Sequence, residues 1–225
     1  MGFAVKDCTL ITRMAGVREA LNLRELEERV KNCPDESLFH HFCETVIRPT
    51  FDYPEYTNDF ALWAGAELRD KKLAERLSLI NPYKTESFDE LRQQLIDILQ
   101  ERLGEIDHIP WAPKGRAFQF MQAATVVFDT GIVLESAGDL CTKMSEFSLG
   151  SIYYHFVEAR RRTDSHADDF TAWLLETGED VEDLVASLRM IDFYFMTLAE
   201  LRSTLTAITS NFMKNYQYGK NITKL

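Results

Sequence analysis

The chain has 225 residues, a net charge of -11, and 45% hydrophobic against 27% charged residues, a composition ordinary for a soluble globular protein. So acidic a balance argues against nucleic acid or anionic lipid as a partner, since both want a basic face. A chain of this length buries roughly 70–75% of its unfolded surface, so no covalent or metal staple is required to hold it.

Taken in order, Met1-Gly2-Phe3-Ala4-Val5-Lys6 has no apolar signal core, and Lys6 stands where a myristoylation motif places Ser or Thr. Residues 9–17 read as weakly extended, turning at Ala15-Gly16. Asn22-x-x-Glu25 is a capping-type helix start, followed by Leu26, Val30 and Cys33 on one stripe. A second helix is expected from Ser37. A third begins at Asp59, the expected cap, and buries Phe60, Trp63 and Ala64. A fourth covers residues 73–80. The fifth opens with Ser87-x-x-Glu90 and carries Phe88, Leu91, Leu95 and Ile98 on one face. Pro110, Pro113 and Gly115 then make residues 104–117 a connector, which Trp111 is expected to pin.

Beyond it, Thr125-Val-Val-Phe-Asp129, a Thr130-Gly131 turn and Ile132-Val-Leu134 suggest a small hairpin. Ser136-x-x-Asp139 starts a helix bearing Leu140, Met144 and Phe147. Others should start at Ser151 and at Asp169, with Phe170, Trp173 and Leu174 inside. They are followed by residues 184–191 and a last helix behind Thr197-x-x-Glu200. Residues 216–225 read as a frayed tail.

The second list repeats the first. Ser37-Leu-Phe-His-His-Phe42 returns 114 residues later as Ser151-Ile-Tyr-Tyr-His-Phe156, and Asp59-Phe-Ala-Leu-Trp63 returns 110 later as Asp169-Phe-Thr-Ala-Trp173. Ser87 to Arg92 likewise matches Thr197 to Arg202. A period this long indicates a duplicated module rather than a solenoid. The fold class is therefore mainly α with small β-hairpin elements, in two tandem pseudo-symmetric helical repeats, residues 1–103 and 118–215.

The second helix of each repeat carries the unusual residues: His41, Glu44 and Arg48, matched by His155, Glu158 and Arg162. Spacings of three and seven put them on one surface. One sharp reading is a metal site of His41, Glu44, His155 and Glu158, although carboxylate-bridged bundles use the opposite order, Glu-x-x-His. Another is an anion pocket in which His41, Arg48, His155, Arg162 and Tyr153 meet a ligand beside open helix amides at Ser37 and Ser151. The plainer reading makes the histidines hydrogen-bonded core residues locking helix two to helix three, with Arg48 and Arg162 paired to Asp59 and Asp169. Trp63 and Trp173 read as core, and His108 and His166 as loop residues without an obvious partner. The one basic run noted is Arg160-Arg161-Arg162. Four cysteines without C-x-x-C spacing read as reduced and buried. No phosphate-binding Gly loop, nucleophile elbow or HEXXH is present, and no cofactor is expected.

These blocks resemble a family of uncharacterised prokaryotic proteins, classed as a domain of unknown function. The resemblance rests on Gly16, Asn22-Leu-Arg-Glu-Leu26, the Ser37 block, Asn58-Asp-Phe-Ala-Leu-Trp63 and residues 73–81. It continues through Gly131, the Ser151 block, Asp168-Asp-Phe-Thr-Ala-Trp173 and residues 184–192. It implies no activity. Phe39-His40 and Asp168 depart from the pattern, so a site marked by His40 would not be symmetric. The sequence thus leads to a cytoplasmic, non-enzymatic protein that binds a protein partner or a small anionic ligand, with no nucleic acid and no membrane. A metal- or anion-dependent enzyme at the second-helix face is the alternative.

Overall fold

A computed structural model describes residues 2–44, 56–163 and 166–222. The fold is mainly α with one small sheet. In chain order the elements are β1 (Phe3–Met14), α1 (Leu23–Val30), α2 (Asp35–Cys43), α3 (Asp59–Ala66), α4 (Lys71–Ser78), α5 (Phe88–Glu105) and β2 (Met121–Leu134). The second set is α6 (Ala137–Lys143), α7 (Leu149–Ile152), α8 (Ala159–Arg162), α9 (Asp169–Thr177), α10 (Glu182–Arg189) and α11 (Leu198–Ile222). A π-helical stretch, Tyr153–Glu158, joins α7 to α8 without a break.

The expected hairpins are replaced by one long-range pairing. β1 and β2 form a two-stranded sheet. Its antiparallel sense follows from two bonds: the Thr130 hydroxyl donates to the Val5 carbonyl at 2.7 Å, and the Ala15 amide donates to Phe120 at 2.8 Å. β2 does not reverse at Thr130-Gly131. Gly131 takes a left-handed φ of 76° inside the strand, a local distortion that only glycine adopts without strain.

The chain separates into two compact units, Leu10–Ala124 and Met1–Thr9 with Thr125–Leu225. We call them the first and second unit. Residues 1–9 therefore group with the later helices, and residues 118–124 with the earlier ones. In the first unit, α1, α2 and α4 pack against α5, and α3 packs on α2 and α4. The core runs from Leu23 and Leu26 through Phe42, Phe60 and Leu95 to Phe118 and Phe120. In the second unit α11 packs against α6, α7 and α10, and α9 packs on α10.

Capping residues fall where local chemistry puts them. The side chains of Asn22, Ser87 and Ser136 accept the amides of Glu25, Glu90 and Asp139, each satisfying an orphan donor of the first turn. Three expectations change. Trp111 is 64% exposed, and the connector is tied instead by the Ala112 amide, which donates to Leu21 at 2.7 Å. α11 continues through Ile222, past the expected fraying point. α2 starts at Asp35, directly after Pro34, whose ψ of 148° keeps it outside the helix as the N-cap.

Gly150 marks a close strand-to-helix approach in the second unit. A Cβ there would meet the Cys8 carbonyl oxygen at 2.5 Å, as well as the Asp7 carboxylate. The Cys8 thiol donates to the Gly150 carbonyl across this contact at 3.4 Å.

Candidate functional site

The apolar stripe of α2 sets the first centre. Leu38 and Phe42 are fully buried, and His41, on the same face, is 3% exposed. Its Nε2 accepts the Met121 backbone amide at 2.9 Å, and its Nδ1 lies 2.7 Å from Asp59 Oδ2. An amide can only donate, so the proton of a neutral ring sits on Nδ1 and points at the carboxylate. Phe118, with its centroid at 4.7 Å, and Phe60, at 5.4 Å, enclose the ring. His41 thus ties α2, α3 and the start of β2 together.

The second unit repeats the arrangement. His155 Nε2 accepts the Lys6 amide at 2.8 Å, and Nδ1 lies 2.7 Å from Asp169 Oδ2. Phe3 and Phe170 take the ring positions, with centroids at 4.9 and 5.5 Å.

Asp59 and Asp169 do not cap their helices, as the sequence reading had it. The caps are one residue earlier: Asn58 accepts the Ala61 amide at 2.9 Å and Asp168 accepts that of Thr171 at 2.8 Å. This shift leaves each following carboxylate on the outer edge of the first turn, where it reaches the histidine. Asn58 also donates its amide to Leu77 O at 2.9 Å. Asp168 lacks such a donor, and burial pushes its carboxyl above the ordinary range, opposed by the Thr171 bonds and Arg160.

The remaining predicted residues have separate settings. Glu44 bonds His40 Nδ1 at 2.7 Å. Glu158 binds Arg161 at 2.8 Å and, more closely, Arg162. The His41 and His155 rings bond Asp59 and Asp169 rather than the Glu44 and Glu158 carboxylates three residues on. Arg162 also bonds Asp169 at 2.8 Å and lies 4.1 Å from the Tyr154 ring centroid. Burial works against its charge, but its hydrogen bonds to Glu158 and Asp169 outweigh that and hold its pKa above the ordinary value. Tyr153 is fully buried. Arg48 lies outside the described residues.

The anion-pocket reading took Ser37 and Ser151 for helix starts with open amides. The Ser37 amide instead donates to Pro34 at 2.9 Å and the Ser151 amide to the Ser148 hydroxyl at 2.9 Å. For a metal, donor atoms of His40, His41 and Asp59 lie within 4.8 Å of one another. This is not the set read from sequence, and it fits a cation poorly: both His41 nitrogens already serve an amide and a carboxylate. In the second unit Tyr154 stands in place of His40.

A further cluster was not singled out from sequence. In the first unit, an open cavity of about 350 Å³ is lined by Arg69, Asp70, Lys71, Lys72, Arg102 and His108, among others. Asp70 interrupts the basic run, which hid Arg69-Asp70-Lys71-Lys72 from a search for consecutive cations. Arg102 and His108 arrive from 30 or more residues later.

A model of a family described as "family of unknown function (DUF5752)" matches residues 1–210. Among solved structures, that of OrfY from Thermoproteus tenax is similar, with a TM-score of 0.77 and 28% identity. The similarity covers 94% of this chain and 95% of that one. No curated protein matches.

Proposed function

The chain belongs to the family of unknown function DUF5752, and we propose that it works by binding, as a non-enzymatic accessory protein for a small anionic ligand or a protein partner. One observation carries this reading. His41 and His155, the strongest candidates for a base or a metal ligand, each commit both ring nitrogens to holding helices and a strand together. A ring whose two nitrogens are both engaged in this way has none vacant to shuttle a proton or to bind a metal.

The matched surroundings of the two histidines support the idea that the units descend from one copied module. No described helix is long and apolar enough to cross a membrane. We place the protein in the cytoplasm on its four buried, reduced cysteines.

The test is native mass spectrometry of the full chain purified without denaturant, before and after incubation with whatever co-purifies. Stoichiometric binding with the bound molecule recovered unchanged is expected. Conversion of that molecule by the wild type, lost in both His41→Ala and His155→Ala, overturns the reading.

A further inference from the structure

We infer that the cavity at the start of α4 is a binding site for a phosphoryl oxyanion carried by a small molecule. The inference rests on the small-ligand reading above and gives it a place and a chemistry.

Charge balance is the first argument. Arg69, Lys71, Lys72 and Arg102 line the cavity in a chain whose net charge is -11. Two nearby acids, Asp70 and Glu105, are already engaged. Asp70 uses one oxygen to cap α4, accepting the Leu73 amide at 3.1 Å, and the other to hold Arg102 at 2.8 Å. Glu105 is gripped by Arg76 at 2.7 Å, Arg102 at 2.9 Å and Lys72 at 3.0 Å. Arg69 and Lys71 are exposed and have no carboxylate within ion-pair distance among the described residues. His108 adds a further donor at the wall.

The second argument is that local folding physics does not call for these cations. Lys71 and Lys72 occupy the first turn of α4, where the partial positive charge of the helix start favours acids. The matched turn of α10 follows that rule: Asp180, Glu182 and Asp183 stand where the first unit has Arg69, Lys71 and Lys72. Arg69 also adopts a left-handed φ of 57°, a conformation that residues with a side chain rarely take. Two unfavourable placements converge on one opening.

The ligand chemistry follows from the donors. Two arginine forks and two ammonium groups present more positive charge than the Asp70 and Glu105 carboxylates satisfy, and they suit the three oxygens of a phosphoryl dianion. About 350 Å³ admits a phosphate ester of modest size. The acidic remainder of the molecule repels an extended polyanion such as nucleic acid.

The test is calorimetric titration of the full chain with inorganic phosphate, pyrophosphate and ribose 5-phosphate at low salt, with circular dichroism to verify folding. Saturable one-site binding by at least one of the three is expected. Affinity for phosphate alone would identify the bare ion, and preference for pyrophosphate or the ester would identify a larger ligand. Lys71→Glu/Lys72→Asp, the charges of the matched turn, should weaken binding at least tenfold. Glu105→Gln should tighten it severalfold by releasing Lys72 and Arg102. Unchanged affinity in the double variant, or no heat with any probe at millimolar concentration, overturns the inference. A ligand found by mass spectrometry that the double variant binds as tightly as the wild type removes this site and leaves the binding function standing.

Discussion

The two units solve one packing problem in the same way and then part company at the next helix. In both, a histidine sits between an aspartate at the start of the following helix and a strand amide, with ring nitrogen distances agreeing within 0.1 Å. One helix beyond that scaffold the charges reverse, from Arg69, Lys71 and Lys72 to Asp180, Glu182 and Asp183. Buried geometry constrains every partner at once, since a displaced group strands others without a hydrogen bond. Exposed first-turn positions carry no such constraint, so the difference between the units marks where something other than folding sets the residue.

The largest expected effect tests whether the aromatic seats are equivalent. Phe118 is 4% exposed and contacts Phe60, Trp63, His41 and Phe120, so Phe118→Ala should destabilise by about 3–5 kcal/mol. Phe3, half-buried against His155, Phe170 and Trp173, should give a smaller loss in the same urea titration. Equal losses would mean that the strand ends contribute alike despite their different burial.

Next come the histidines. His41→Ala and His155→Ala each remove the partner of an amide and a carboxylate, at an expected cost of about 1–3 kcal/mol. Equilibrium unfolding should give two similar values. No loss at either position would break the account of these rings as structural ties.

A smaller change of opposite sign is expected at Arg69. Relieving its left-handed conformation with Arg69→Gly should stabilise the protein by roughly 1 kcal/mol, offset in part by glycine's greater freedom in the unfolded chain. A lower melting temperature would show that the arginine side chain contributes more to the fold than its backbone costs.

The mildest effect is with acid. Hydrogen bonds from Arg76, Lys72 and Arg102 lower the Glu105 pKa from its ordinary value to about 2. A carboxyl whose folded pKa is depressed contributes stability above its unfolded pKa and loses it as pH falls through the folded one. The wild type should therefore show a shallow loss between about pH 4.5 and pH 2 that Glu105→Gln lacks. Superimposable acid titrations would remove Glu105 as a stabilising charge in this exposed setting.

Much of the helical scaffold was legible from short-range chemistry. Asn22, Ser87 and Ser136 cap where their spacing to an acid three residues on says they should, because the motif is complete within one turn. Asp59 was misassigned because Asn58, beside it, is an equally good cap, and only the position of His41 decides between them. β1 and β2 were missed as partners because their pairing spans more than a hundred residues, and the Thr130-Gly131 pair carries a local turn signal that tertiary contacts override. The cationic cavity was hidden for a similar reason. Its walls meet only after α5 has brought Arg102 back to Asp70.

The strand assignment also bears on synthesis. Phe3 and Lys6 are translated long before the residues they serve: the Lys6 amide donates to His155, and the Phe3 ring packs against His155, Phe170 and Trp173. At 5–20 residues per second, the leading segment waits on the order of ten to thirty seconds for its seat to be translated. Meanwhile the earlier helices can close as soon as residues 118–124 arrive. A gene cut at the connector would therefore yield two fragments, each carrying the other's missing strand.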